Sequence, residues 1–222
     1  MQIDRPQLVI FDCDGVLVDS ELISNGVLSG NLAQYGLNLS TLECMRHFMG
    51  GRMVDVAAKA NEMGASLPQD WVSEIYGEIH TRLEQGVPAV EGIHDVIEHL
   101  DAAGVDHCVA SNGSEMKMSI TLGHAGLWER FSKVAFSAHT HGVAKPDPGL
   151  FQIAADSFGV PHANCVVVED SVPGTIAARR AGMHCFGYAA HDDGSELAAE
   201  GAIVFSDMKE LAGLINLKRG TH

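Results

Sequence analysis

The chain has 222 residues, 46% of them apolar, which is enough to bury the core of one large domain, or of a domain with a modest insert. Its formal net charge of −15 comes with no basic stripe, which excludes nucleic acid and anionic membrane surfaces as expected partners. Five cysteines, an odd number without C-x-x-C spacing, exclude a disulfide framework or a thiolate zinc site and fit a reducing cytoplasm.

In chain order, Leu8 to Phe11 reads as a short strand buried on both faces. It runs into Asp12-Cys13-Asp14-Gly15. Ionised side chains at the end of a buried strand are costly unless offset, and a bound cation is the usual offset. A hairpin corner at Asp14-Gly15 is the alternative. Val16-Leu17-Val18 is too short for its second arm, because Asp19-Ser20-Glu21 already reads as a helix start. Cys13, flanked by two carboxylates, is a poor nucleophile, since negative charge raises a thiol pKa. The apolar run broken by Asp12 is too short for a signal peptide, and no stretch has transmembrane length.

From Asp19 to Gln85 the pattern is helical. Leu22, Ile23, Val27, Leu28 and Leu32 predict a first helix ending near Gly36. Ser40 or Thr41 caps a second through His47, stopped at Gly50-Gly51. Met53 to Ala60 carries a third. Ser66-Leu67-Pro68-Gln69 resembles a capping box for a fourth, faced by Trp71, Val72, Ile75, Ile79 and Leu83. Four helices are too many for an ordinary strand-to-helix connection. The division expected is therefore an α/β core of residues 1–18 and 88–222, with residues 19–87 as a helical cap.

After Pro88 the period alternates. Strands are predicted at Val105–Ala110, Val134–Ser137, Cys165–Val168, Met183–Gly187 and Ala202–Phe205. Helices are predicted around Val96–Leu100, Ser114–Gly123, Pro148–Phe158 (Asp147 as cap), Val172–Ala181 and Met208–Ile215. This alternation predicts an α/β fold, a Rossmann-like parallel sheet with helices on both faces.

Polar residues fall at the strand ends. The first strand ends in Asp12 and Asp14, the second in Ser111-Asn112-Gly113, and the fourth in Glu169-Asp170-Ser171; Lys145-Pro146 follows the loop after the third. Each alone could be a turn, a helix cap or a surface lysine. Together, at the carboxyl edge of one parallel sheet, they converge on one crevice. Several carboxylates in a small volume call for a hard cation such as Mg²⁺. Lys145, the Ser111 hydroxyl and backbone N–H groups could then hold a phosphate. One aspartate can attack phosphorus while the other, two residues away, moves the proton.

Phe11-Asp12-Cys13-Asp14-Gly15-Val16-Leu17-Val18-Asp19-Ser20, Ser111-Asn112-Gly113, Lys145-Pro146-Asp147-Pro148 and Val168-Glu169-Asp170-Ser171 resemble the four motifs of the haloacid dehalogenase superfamily, and the helical block resembles the α-helical cap of its phosphoglucomutase-like branch. The resemblance implies Asp12 as nucleophile, Asp14 as general acid/base, and Ser111 and Lys145 on the phosphoryl group. It implies Mg²⁺ on Asp12, the Asp14 carbonyl and Asp170, with Glu169 direct or through water. Asn112 and Gly113 would line the substrate, as would Gly51 and Arg52 of a Gly50-Gly51-Arg52 specificity loop.

Dehalogenation is disfavoured by the presence of Asp14. A phosphomutase is the closer alternative, weakened because Ser24 stands where such proteins carry a hinge histidine. Phosphonate hydrolysis would need a cap lysine, and Lys59 is expected on an exposed face. A phospho-acceptor signalling module of receiver type has no place for the helical insert. The expectation is a cytoplasmic Mg²⁺-dependent phosphomonoesterase acting on a small sugar or polyol phosphate, as a monomer or weak homodimer. None of the twelve histidines takes a catalytic role, and His139 and His141 are expected in a loop.

Overall fold

A computed structural model describes residues 5–48 and 51–215. Strand β1 (Leu8–Phe11) is followed by α1 (Glu21–Gln34), α2 (Thr41–Phe48), α3 (Met53–Glu62) and α4 (Trp71–Leu83). Then come α5 (Ile93–Ala103), β2 (Asp106–Ser111), α6 (Glu115–His124), α7 (Trp128–Phe131), β3 (Ala135–Ser137), α8 (Ala138–His141) and α9 (Gly149–Phe158). The chain continues with β4 (Cys165–Glu169), α10 (Val172–Arg180), β5 (His184–Tyr188), α11 (Ser195–Ala199), β6 (Ile203–Phe205) and α12 (Leu211–Leu214).

The six strands form one parallel sheet in the order β3-β2-β1-β4-β5-β6. Chain direction across the sheet reverses around β1, the switch point beyond whose strand ends ligands bind in such folds. Every residue of β1 is fully buried, and its period of two divides the core. Leu8 and Ile10 join Leu150, Phe151, Ala154 and Ala177 on one face. Val9 and Phe11 join a larger cluster on the other, which continues through Val96, Leu100 and Met118 into Leu28, Leu32, Trp71, Ile75 and Ile79 of the insert.

The insert leaves and re-enters the α/β unit at one place. Asp19 donates its N–H to the Pro88 carbonyl at 2.9 Å, and Val90 donates to Leu17 at 3.1 Å. Within it α1 and α4 are tied by a buried polar cluster. Asn31 accepts from Trp71 Nε1 at 2.6 Å and donates to Glu74 and Glu78 at 3.0 and 3.2 Å.

Several local expectations need correction. The capping box sits on α2, where Ser40 and Glu43 exchange backbone–side-chain bonds. At α4 the box expected at Ser66–Gln69 does not form: Ser66 N–H bonds the Tyr35 carbonyl, and the helix begins two residues after Gln69. The tertiary hydrogen bond to Tyr35 outcompetes the local motif. Helix α9 starts at Gly149, with Asp147 accepting from its N–H at 2.8 Å. His139 and His141 lie on the short helix α8, capped by Ser137, and not in a loop. Gly50, half of the expected stop for α2, lies outside the described residues.

Candidate active site

Four loops at the carboxyl ends of the strands build the site. Asp12 extends β1 by one more ladder bond, its N–H to the Val168 carbonyl at 2.9 Å, so its side chain is fixed by the sheet itself. Lys145 Nζ reaches both Asp12 Oδ1, at 2.5 Å, and Glu169 Oε1, at 2.6 Å, and is almost wholly buried. The other Glu169 oxygen accepts from the N–H and hydroxyl of Ser171 at 2.9 and 2.8 Å, at the start of α10. Ser111 Oγ accepts the Gly113 N–H at 3.0 Å. Asp12, Asp14, Ser111, Asn112, Gly113, Lys145, Glu169 and Asp170 all line one cavity of about 100 Å³ between the sheet edge and the inserted helices.

Two glycines make the packing possible. A Cβ at Gly15, whose φ is +77°, would sit 1.9 Å from Asp170 Oδ2. One at Gly174 would sit 1.9 Å from the Glu169 carboxyl group. Both carboxylates lie against backbone that has to be free of side chains.

The charges do not balance within the protein. Asp12, Glu169 and Asp170 offer oxygens that all lie within 4.8 Å of one another, and Lys145 is the cation between Asp12 and Glu169. Burial, with Glu169 and Asp14 adding to it against Lys145, pushes the Asp12 carboxyl up to about 7. Burial and the neighbouring Glu169 and Asp12 push Asp170 well above the usual carboxylate range. Lys145 is held above its ordinary value because Asp12 and Glu169 outweigh its burial. An all-oxygen set with excess negative charge fits a hard divalent cation. The Asp14 carboxylate is turned away from it, toward Ser20 Oγ (2.5 Å) and Lys117 Nζ (2.9 Å).

Other residues singled out in the sequence also have defined partners in the fold. Asn112 lines the cavity, yet its side chain also clamps the Lys145 backbone, accepting the N–H at 2.9 Å and donating to the carbonyl at 3.3 Å. Arg52 lines the cavity too, although it is exposed and forked onto Asp55 at 2.8 and 3.0 Å, a contact that the N-terminal turn of α3 makes inexpensive. Gly51 lines the cavity beside it. Lys59 is exposed and donates to the His47 carbonyl at 2.8 Å. Cys13 is buried beside Thr121, with burial and both aspartates pushing its thiol up.

Sequence reasoning missed Ser20, Glu21, Asn25, Tyr76 and Lys117, of which all but Ser20 line the cavity. Lys117 carried a signal: it sits in the first turn of α6, where a cation opposes the helix dipole.

With this geometry in hand, a family profile described as haloacid dehalogenase-like hydrolase matches residues 9–188. The chain belongs to that family. It is 29% identical over 212 residues to 6-phosphogluconate phosphatase of Escherichia coli, covering 95% of each chain. It is 34% identical over 186 residues to a probable pseudouridine-5'-phosphatase of Drosophila melanogaster, covering 78% of each. A haloacid dehalogenase-like protein of Agrobacterium tumefaciens superposes with a TM-score of 0.83 at 32% identity, covering 94% of this chain and 97% of that one. A family hydrolase of Deinococcus radiodurans, solved with bound phosphate and sodium, superposes with a TM-score of 0.78 at 33% identity, covering 96% and 97%. Among the described residues, no helix is long and apolar enough to cross a membrane.

Proposed function

We propose that this phosphatase is a Mg²⁺-dependent phosphomonoesterase that acts on a small phosphorylated sugar or polyol through a phosphoryl group carried on Asp12. The observation that carries the reading is the convergence of Asp12, Asp14, Ser111, Lys145 and Asp170 on one small cavity. Lys145 and Ser111 bind non-bridging phosphoryl oxygens. An Asp12 carboxylate oxygen bonds to phosphorus as the ester P–O bond breaks, and Asp14 gives its proton to the departing oxygen. Water then attacks the phosphorus and loses its proton to Asp14, and the P–O bond to Asp12 breaks to release inorganic phosphate.

Asp12, the Asp14 carbonyl and Asp170 would hold Mg²⁺, with Glu169 fixing Lys145 or reaching the ion through water. When bound, Mg²⁺ supplies positive charge that offsets the carboxylates and the transferring group.

Residues 19–87 act as a cap over residues 1–18 and 88–222. The two crossings, joined side by side by the Asp19–Pro88 and Val90–Leu17 backbone hydrogen bonds, support a hinge there, and closure would exclude water from the phosphoryl group. Gly51, Arg52, Asn112 and Gly113 line the substrate. The likeness to 6-phosphogluconate phosphatase along 95% of the chain supports a sugar-phosphate class, and the net charge of −15 supports a small-molecule partner over nucleic acid. A cytoplasmic monomer or weak homodimer completes the proposal.

The test is phosphate release from an aryl phosphate and from a panel of sugar, polyol and nucleotide phosphates. Asp12→Asn and excess chelator should each reduce turnover by at least about 10³-fold while far-UV circular dichroism stays unchanged. Turnover near the wild-type rate in either case would overturn the assignment.

A further inference from the structure

Among the described residues, Lys117 is the one cation at the cavity that the phosphoryl chemistry above leaves unused and whose side chain is nonetheless largely buried, 15% exposed. It projects from the first turn of α6, where its N–H bonds the capping Ser114 hydroxyl at 3.2 Å. Two things count against a lysine here. The helix dipole repels a cation in that turn, and removing an ammonium from water is costly. The compensation lies across the cavity. Nζ is 2.9 Å from Asp14 Oδ1, and Glu21, which Asn25 holds at 2.9 Å, adds a second attractive charge.

The arrangement fixes the orientation of Asp14. Ser20 Oγ and Lys117 Nζ both bond the same oxygen, Oδ1. The other oxygen, Oδ2, faces the turn that carries Ser111. A Cβ on Gly113 would stand 3.5 Å from Asp14 Oδ2 and 3.3 Å from Ser111 Oγ, with the Lys117 stem at 3.6 Å. A carboxylate gripped by one oxygen from two directions cannot rotate without breaking both bonds. Its second oxygen is thereby held toward the phosphoryl-binding side.

We propose that Lys117 is a positioning residue for Asp14, fixing the carboxyl group for proton transfer to the departing oxygen of an alkyl phosphate. The proposal rests on the reading of Asp14 as the general acid/base. Proton donation matters for an alkoxide leaving group, which is too basic to depart unprotonated. It matters little for 4-nitrophenolate. A displacement of a proton donor by about 1 Å can cost on the order of 10²-fold.

The experiment compares kcat/KM, which reports transfer to Asp12, for glycerol phosphate and 4-nitrophenyl phosphate. It uses wild type, Lys117→Met, Lys117→Arg and Asp14→Asn, each checked by thermal melting. Lys117→Met should lower kcat/KM on the alkyl ester by about 10- to 100-fold, and on the aryl ester by no more than about 3-fold. Lys117→Arg should recover most of the loss, and Asp14→Asn should show the same split more strongly. Equal losses of Lys117→Met on both esters, or no loss on either, would overturn the proposal, as would failure of Lys117→Arg to recover. If Lys117→Met does not fold, Lys117→Arg against Asp14→Asn decides: an arginine variant as impaired on the alkyl ester as Asp14→Asn overturns it. Absence of the split in Asp14→Asn would overturn the reading of Asp14, and this inference with it. A split in Asp14→Asn without one in Lys117→Met overturns the inference alone.

Discussion

The unbalanced charge at the sheet edge should make stability depend on pH and, under the proposed function, on Mg²⁺ as well. The Asp12 carboxyl, ordinarily near 3.8, is pushed to about 7 by burial and by Glu169 and Asp14. Between those two values the unfolded chain has released a proton that the folded protein keeps. Folded protein therefore binds more protons in this window, and stability falls as pH rises through it, levelling off above about 7. The interval corresponds to on the order of 4 kcal/mol, and Asp170, raised in the same direction, adds to it. For a chain of this size that amounts to roughly 10 °C in Tm. The assay is thermal melting between about pH 5 and pH 8, in chelator and in Mg²⁺, for wild type and Asp12→Asn. Comparison with Asp12→Asn removes the contribution of the overall negative charge. Wild type without metal should lose stability more steeply with pH than the variant. Mg²⁺ should raise Tm more at pH 8 than at pH 5, where protons compete for the same oxygens. Parallel pH slopes for wild type and Asp12→Asn, or a Mg²⁺ effect equal at both pH values, would refute the reasoning.

Gly15→Ala places a methyl group 1.9 Å from Asp170 Oδ2 at a φ of +77°; it should cost about 1–2 kcal/mol from the backbone alone and raise the Mg²⁺ concentration needed for half-maximal activity. An unchanged Mg²⁺ titration would count against Asp170 as a ligand. Asn31→Ala strips the partner from the buried Trp71 Nε1 and should destabilise the protein by about 1–3 kcal/mol, read by urea unfolding; a change under about 0.5 kcal/mol would show that water replaces the amide.

Much of this protein is legible from its residues alone. Leu8–Phe11, Cys165–Val168 and the alternation after Pro88 disclose a parallel sheet because fully buried strands have no polar face. The two aspartates after β1, with Ser111, Lys145 and Asp170, disclose the site because topology brings parallel strand ends to one edge. What the chain could not disclose are contacts between residues that share no local pattern. Ser66–Gln69 reads as a capping box, but Ser66 bonds Tyr35 instead. Asn112 reads as a substrate contact, yet its amide also clamps Lys145. The pairing of Lys117 with Asp14 joins residues 103 positions apart. Local sequence sets which elements form; only packing the insert against the sheet decides which charged groups meet, because electrostatic partners are chosen by distance in space.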